Sequence, residues 1–213
     1  MSKLDLAPYI DYTLLRPGCT RAEIQALCEK AVERGYAAVC VPPYFVSDAV
    51  QYVEGSTVRV ATVIGFPHGM HLTEVKAEEA RLALQMGAQE LDMVINLAAY
   101  FSGEEGYVRA EVQRLAEIAH AAGALLKVIL ETALLTPNQI QALCRIAAES
   151  GADFVKTSTG FAAKGAELET VRLMRAAVPP SVGVKASGGI RTVEAAWAFI
   201  EAGANRIGTS TAL

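Results

Sequence analysis

The sequence predicts an α/β protein that folds as one (β/α)8 or TIM barrel domain over residues 1–213. Three observations predict this fold. Eight short apolar segments alternate with helix-like stretches, a glycine separates helix from strand five times, and 213 residues leave about 27 for each strand–helix unit. Strands joined through helices pair in parallel, and a closed barrel is the usual arrangement of eight such units.

Capping residues and glycines mark the predicted helices. Thr20 and Glu23 form a capping-box pattern at one helix start, and Thr136-Pro137 with Gln139 marks another. At helix ends, glycine adopts the left-handed conformation at little cost. The glycines that follow helix-like stretches are Gly35, Gly87, Gly123, Gly151 and Gly203. The chain is therefore punctuated as helix, turn and strand.

The eight apolar segments are the predicted strands. In chain order they span residues 10–14, 37–41, 59–64, 90–94, 125–130, 153–156, 182–185 and 206–208. The rival architecture is an open doubly wound sheet, which usually carries a G-x-G-x-x-G motif after an early strand, and this sequence holds none. Because the sequence stops a few residues past the eighth segment, we expect the closing C-terminal helix to be missing.

Charge and cysteine usage narrow the function classes. Lysine and arginine number 19 against 23 acidic residues, and the net charge of −4 argues against non-specific binding to nucleic acid or an anionic membrane. The four cysteines include no C-x-x-C pair, which disfavours a disulfide framework and a cysteine metal site. The first residues form no apolar signal segment. We expect a cytoplasmic protein with neither nucleic acid nor membrane partners.

Two lysines occupy matching places on neighbouring predicted strands. The segments that begin at Val155 and Val184 both read V-K-x-S-x-G, which places Lys156 and Lys185 29 residues apart. On consecutive barrel strands their backbones would lie about 4.8 Å apart, near the carboxyl ends that form the catalytic face. Alternatively, each lysine ends a strand and extends to water. Two ammonium groups that converge on one opening repel each other, so the pair favours a functional use.

A neutral lysine can attack a carbonyl and form an imine, which is the chemistry of class I aldolases and needs no metal. A free lysine has a pKa near 10.4, so a nucleophilic lysine needs its pKa lowered by roughly three units. The charge of a neighbouring ammonium about 4 Å away can supply a shift of that size. We therefore expect one of the two lysines to make the other a nucleophile.

Two carboxylates and two glycine-rich ends complete the candidate site. Asp92 lies inside an otherwise apolar segment, where it is a partner for a lysine, a proton relay, or both. For Asp11, beside Thr13, the sequence leaves open whether it binds a substrate hydroxyl or forms a local cap. The segments at 187–189 and 208–211 supply backbone N–H groups and hydroxyls for a phosphate, and Gly160 adds another N–H, unless these glycines only form turns.

Several ordered motifs together resemble the deoxyribose-phosphate aldolase family over nearly the whole sequence. They are Asp11-Tyr12-Thr13-Leu14-Leu15, Phe66-Pro67-His68-Gly69, Glu90-Leu91-Asp92, Leu126-Lys127-Val128-Ile129-Leu130-Glu131-Thr132, the segment from Gly151 to Gly160 and the segment from Val184 to Thr192. The resemblance implies reversible cleavage of 2-deoxy-D-ribose 5-phosphate to D-glyceraldehyde 3-phosphate and acetaldehyde in carbohydrate degradation. It also implies a homo-oligomer, no metal or other cofactor, and a C-terminal tail in family members that helps to close the site.

The resemblance also implies a role for each site residue. Lys156 resembles the imine-forming lysine, and Lys185 the cation that tunes it and joins Asp92 in proton transfer. The residues implied to bind phosphate are Gly160, Gly188, Gly189, Gly208 and Ser210, and those implied to line the sugar pocket are Asp11, Thr13 and Thr159. Two alternatives stay open, a non-catalytic barrel that binds a phospho-ligand and a carboxylate-dependent sugar-phosphate isomerase.

Overall fold

The computed structural model describes residues 5–213, which form a closed barrel of eight parallel strands. Each strand pairs with the next along the chain, and β8 pairs with β1 to close the barrel. The strands are β1 (Ile10–Thr13), β2 (Ala38–Val41), β3 (Arg59–Ile64), β4 (Glu90–Val94), β5 (Leu125–Ile129), β6 (Phe154–Lys156), β7 (Gly183–Ser187) and β8 (Arg206–Thr209). The predicted fold class is confirmed.

Helices connect these strands and pack around the barrel. The α-helices in the described range are α1 (Arg21–Arg34), α2 (Val46–Tyr52), α3 (Thr73–Gln85), α4 (Leu97–Phe101), α5 (Glu105–Ala121), α6 (Pro137–Glu149), α7 (Leu168–Ala177) and α8 (Val193–Glu201). Short 3-10 turns lie at Ala7–Tyr9, Pro43–Phe45 and Thr132–Leu134. Both predicted capping boxes form, at the starts of α1 and α6. The five predicted helix-end glycines all have positive φ.

Differences from the predicted strand bounds are small except at β7. This strand runs two residues past the predicted end at Lys185, so that Lys185 lies in the middle of the strand and not at its terminus. After β8, residues 210–213 form no helix. The Tyr36 hydroxyl donates a hydrogen bond of 2.7 Å to the Leu213 carbonyl and ties this segment to the start of β2.

The two faces of the barrel wall differ in chemistry. Outward side chains such as Val39, Leu91 and Val155 pack under the helices and form the main apolar core. Barrel interiors are usually filled by branched apolar side chains. Here small apolar residues fill the interior beside β2 and β3, and charged side chains fill the rest. The small residues are Ala38, Cys40, Ala61 and Val63.

Candidate active site

Lys156 and Lys185 are lateral partners in the register of β6 and β7, in agreement with their matched motifs. Lys156 is 2% exposed, and Lys185 and Asp92 are fully buried. Both lysine amines donate to the same oxygen of Asp92, Oδ2, each over 2.7 Å. The two amines therefore lie within about 5.4 Å of one another on either side of one carboxylate oxygen. Asp92 is placed to pair with both lysines.

A third buried lysine joins the same carboxylate, although the sequence analysis assigned it no role. Lys127 donates to Asp92 Oδ1 over 2.7 Å and lies 2.6 Å from Glu90 Oε2. Its Nζ is also 3.6 Å from Asp11 Oδ2, across the barrel. The sequence signal for Lys127 is its place between the apolar residues Leu126 and Val128 in a parallel strand, where both faces are normally apolar.

Arg206 closes the network at the amino-terminal ends of the strands. Its guanidinium donates to Asp11 Oδ1 over 2.6 Å through Nε and to Glu90 Oε2 over 2.9 Å. Asp11 also accepts from the Lys185 amine through Oδ2. We use the name interior ion cluster for the seven linked side chains, which are Asp11, Glu90, Asp92, Lys127, Lys156, Lys185 and Arg206.

The cluster separates the three lysines electrostatically. Among residues 5–213, Lys156 pairs with one carboxylate, Lys185 with two and Lys127 with three. Burial lowers the pKa of Lys156, Asp92 opposes that shift and the charge of Lys185 adds to it, and the net pKa lies below the ordinary value. For Lys185 and Lys127 burial also lowers the pKa, but the nearby carboxylates outweigh it and raise the pKa. The sequence analysis attributed the shift to Lys185, whereas burial is the larger cause.

The two aspartates are held ionised by the same contacts. Burial raises the pKa of Asp92, but the charges of Lys127, Lys156 and Lys185 outweigh it and hold the pKa well below its usual range. Asp11 behaves alike, because Lys185 and Arg206 outweigh burial and keep its pKa low. Asp11 lies under the cavity described next and not on its wall, since Lys185 and Arg206 bind both of its carboxylate oxygens. This position differs from the sugar contact and the local cap considered for it.

A cavity of about 360 Å³ opens above the cluster at the carboxyl ends of the strands. Of the three buried lysines in the described chain, Lys156 lines this cavity, and Lys127 and Lys185 do not. Seven of the predicted binding residues line it as well, namely Thr13, Thr159, Gly160, Gly188, Gly189, Gly208 and Ser210. Arg16 and Arg191, which the sequence analysis did not single out, add two cations at its mouth. A carbonyl compound in the cavity therefore meets one amine and a polar glycine-rich end.

Two glycines at that end are required by geometry. Gly188 has φ +90°, and a Cβ there would lie 2.9 Å from the Gly165 Cα. A Cβ at Gly208 would lie 2.8 Å from the Ser187 Cβ and 3.2 Å from the Lys185 Cε. A side chain at either position would displace backbone or the buried lysine. Both glycines therefore contribute to the shape of the cavity.

Glu131 supports one wall of the cavity and was also missed as a site residue. It has φ +53°, an uncommon conformation for a residue with a side chain, and it is 6% exposed. Its carboxylate accepts hydrogen bonds from the backbone N–H of Thr159, at 3.3 Å, and from the Thr159 hydroxyl. Thr159 follows Lys156 by three residues, so Glu131 orients the segment that leaves β6.

Two further searches concern metal sites and membrane spans. Within residues 5–213, no group of three or more His, Cys, Asp and Glu side chains is arranged to hold a metal ion. In the same range, every helix is too short or too polar to cross a membrane. The expectation about a signal segment concerns the first residues of the chain, and residues 1–4 lie outside the described part.

Comparison with known proteins identifies the family. The model of the DeoC/LacD family aldolases matches residues 7–213. The deoxyribose-phosphate aldolase of Thermococcus gammatolerans is 53% identical over 213 residues, which are 99% of this chain and 95% of the relative. The enzyme of the same name from Thermococcus kodakarensis is 52% identical, with the same coverage of both chains.

Solved structures agree with the sequence relatives. The aldolase QR15 superposes with a TM-score of 0.94 at 44% identity, over 99% of this chain and 93% of that one. The deoxyribose phosphate aldolase of Aeropyrum pernix, described as having a unique tetrameric structure, superposes with a TM-score of 0.90 at 38% identity, over 97% of this chain and 87% of that one. With its barrel, its buried amines and these matches, the chain belongs to the DeoC/LacD family of aldolases, which are lyases.

Proposed function

We propose that this protein is a class I aldolase that reversibly cleaves 2-deoxy-D-ribose 5-phosphate to D-glyceraldehyde 3-phosphate and acetaldehyde through an imine on Lys156. The observation that carries the proposal is the difference between Lys156 and its two buried neighbours. Lys156 lines the cavity and has its pKa lowered by burial, whereas Lys127 and Lys185 lie beneath it with raised pKa values. The name borne by the relatives in the Thermococcus species supports the substrate.

The reaction starts when the neutral amine of Lys156 adds to the aldehyde carbon, C1, of the open-chain sugar. The resulting carbinolamine loses water, and its hydroxyl must be protonated in order to leave. The protonated imine then withdraws electrons while the bond between C2 and C3 breaks and the C3 hydroxyl gives up its proton. D-glyceraldehyde 3-phosphate departs, and a two-carbon enamine remains on Lys156. Protonation of the enamine and addition of water release acetaldehyde and restore the amine.

Lys185 is the proposed proton donor in these steps, and Asp92 the anion that orients it. The Lys185 amine lies within about 5.4 Å of the Lys156 amine, and its raised pKa keeps it protonated at neutral pH. Asp92 keeps its negative charge, because its pKa is held well below the usual range. It therefore aligns both amines and stabilises the positive charge of the imine. Of the two roles that the sequence left open for Asp92, the electrostatic one is the better supported.

The remaining binding residues are assigned by their place around the cavity. Gly160, Gly188, Gly189, Gly208 and Ser210 form its glycine-rich end and would hold the phosphate through backbone N–H groups and the hydroxyl. Thr13 and Thr159 line the part nearer to Lys156 and are the proposed contacts for the sugar hydroxyls. We place Asp11 behind Lys185 as its ionic partner. This chemistry uses neither a metal nor another cofactor.

We also propose the setting in which the enzyme acts. Residues 1–213 would form one barrel domain of a cytoplasmic homo-oligomer, since the Aeropyrum pernix relative is described as tetrameric. Its partners would be phosphorylated sugars and aldehydes. A non-catalytic barrel is not favoured, because burial of a lysine without full ionic compensation is costly unless the amine has a use. A carboxylate-dependent isomerase is not favoured either, because Asp92 and Asp11 are held ionised by cations.

Trapping of the imine tests the proposal directly. The protein is incubated with acetaldehyde and sodium borohydride, digested and mapped by mass spectrometry. We expect a stable two-carbon adduct on Lys156 and none on Lys127 or Lys185. Lys164, which is 67% exposed, provides the control, since its replacement by alanine should leave trapping at Lys156 intact. Absence of an adduct on Lys156 would favour the isomerase or the non-catalytic barrel.

A further inference from the structure

We propose that Glu90 and Arg206 are positioning residues that set the charge balance of the barrel interior and thereby keep the Lys156 amine uncharged and reactive. The proposal rests on the proposed function, because it explains how the imine-forming amine is kept neutral. Neither residue lines the cavity. Both lie at the first position of their strands, β4 and β8, at the end of the barrel opposite the catalytic opening.

Glu90 and Arg206 are joined directly to the residues that surround the reactive amine. Arg206 bonds Glu90 Oε2 over 2.9 Å and Asp11 Oδ1 over 2.6 Å, and Asp11 in turn accepts from Lys185. Glu90 is fully buried, and its Oε2 lies 2.6 Å from the Lys127 amine, which bonds Asp92. Each member of the pair is therefore one ionic contact away from a partner of Asp92 or Lys185.

A charge count of the interior ion cluster identifies what the pair does. Within the described chain the cluster holds four cationic side chains, Lys127, Lys156, Lys185 and Arg206, and three carboxylates, Asp11, Glu90 and Asp92. If all seven were ionised, one buried positive charge would lack a counter-charge, which is costly. Lys156 has the fewest carboxylate contacts and lines the cavity, so its proton is the one lost most easily.

Other titratable groups near Lys156 do not alter the count. Cys40 on β2 faces the cluster, and burial raises the pKa of its thiol, so it stays neutral. Glu131 follows β5 and directs its carboxylate to Thr159. Arg59, at the start of β3, lies 3.8 Å from Glu90, but its side chain is 51% exposed and water screens its charge. Arg16 and Arg191 are exposed at the cavity mouth.

The proposal predicts opposite effects for two single substitutions. Arg206→Gln leaves three cations against three carboxylates, so a protonated Lys156 becomes balanced, and we expect the pH profile of imine formation to move to higher pH by about one unit. Glu90→Gln removes a carboxylate and should move the profile to lower pH. The double variant Glu90→Gln/Arg206→Gln restores the parent count and should return the profile to its parent position. Arg206→Lys keeps the charge and should leave it in place.

The measurement is the pH dependence of borohydride trapping with acetaldehyde, read as the two-carbon adduct on Lys156, in variants whose fold is checked by circular dichroism. An alkaline shift in Arg206→Gln, with Arg206→Lys and the double variant at the parent position, supports the proposal. An unmoved profile in Arg206→Gln, or equal shifts in Arg206→Gln and Arg206→Lys, overturns it. If Arg206→Gln does not fold, Lys127→Met removes a different cation and should give the same alkaline shift, and an unmoved profile then overturns it.

The two proposals fail in different ways. If the parent protein forms no adduct at any pH, the proposed function fails. If the parent traps acetaldehyde on Lys156 and the profile does not follow the interior charge, the proposed function stands and the positioning role of Glu90 and Arg206 is rejected.

Discussion

The amines of Lys156 and Lys185 donate to one oxygen of Asp92, each over 2.7 Å, yet their pKa values move in opposite directions. The difference lies behind them. Lys185 has a second carboxylate partner in Asp11, whereas Lys156 has none in the described chain and faces the cavity. One shared anion thus serves a lysine that loses its proton readily and another that keeps it. This asymmetry supplies a nucleophile and an acid within one contact distance.

Lys185→Leu should move the pH–rate profile to higher pH. The two amines lie within about 5.4 Å, and the charge of Lys185 lowers the pKa of Lys156, so its removal raises that pKa. At an effective dielectric near 20 the expected shift is about two units, accompanied by a loss of about 10²–10⁴-fold in kcat from the missing acid. Steady-state kinetics across pH measure both effects. An active variant with the parent profile would show that Lys185 does not tune Lys156.

Lys156→Met should abolish cleavage, by more than about 10³-fold, and stabilise the fold at neutral pH. Burial lowers the pKa of Lys156 below its ordinary value of 10.5, so the unfolded chain binds more protons than the folded one between the lowered pKa and 10.5. Stability of the parent therefore rises with pH across that window. The advantage of the variant should be present at lower pH and shrink towards pH 10.5, as urea unfolding at several pH values would reveal. A variant less stable than the parent at neutral pH contradicts this account.

Asp92→Asn should lower both turnover and stability. Three buried amines lose their common counter-charge, and breaking buried ion pairs costs about 3–5 kcal/mol. The pKa of Asp92 lies well below its ordinary 3.8, so the carboxylate stabilises the parent above about pH 4 and less as pH falls towards the lowered pKa. The stability difference between parent and variant should therefore shrink in acid. In kinetics we expect kcat to fall more than KM rises, and equal changes would make Asp92 a substrate-binding group.

Gly188→Ala should raise KM for the phosphorylated sugar by about tenfold or more, with a smaller effect on unphosphorylated 2-deoxyribose. The new Cβ would lie 2.9 Å from the Gly165 Cα at a φ of +90°, so the loop that forms the phosphate end must move. Gly55→Ala is the matched control, because Gly55 also has positive φ but has open space around it and lies outside the cavity. If both substrates lost activity equally, the phosphate assignment of this loop would be wrong.

The features that repeat along the chain could be predicted from the sequence, and those made by distant strands could not. Strand order and the Lys156–Lys185 register follow from helix-end glycines and a repeated V-K-x-S-x-G motif, which are local patterns. The pairing of Lys127 with Asp11 joins strands on opposite sides of the barrel. No spacing in the sequence encodes such a contact, so Lys127, Glu90 and Arg206 received no role. The same reason explains why burial was undervalued as a cause of the Lys156 pKa shift.

The small side chains beside β2 and β3 have a consequence for how this protein can change. Lys127 on β5 reaches within 3.6 Å of Asp11 on β1 because Ala38 and Ala61 leave the axis of the barrel open. A leucine at either alanine would fill the volume that the amines now cross. Evolutionary drift at two inert-looking positions is thus constrained by reactivity on the far wall, and attempts to redesign the substrate range should leave these alanines untouched.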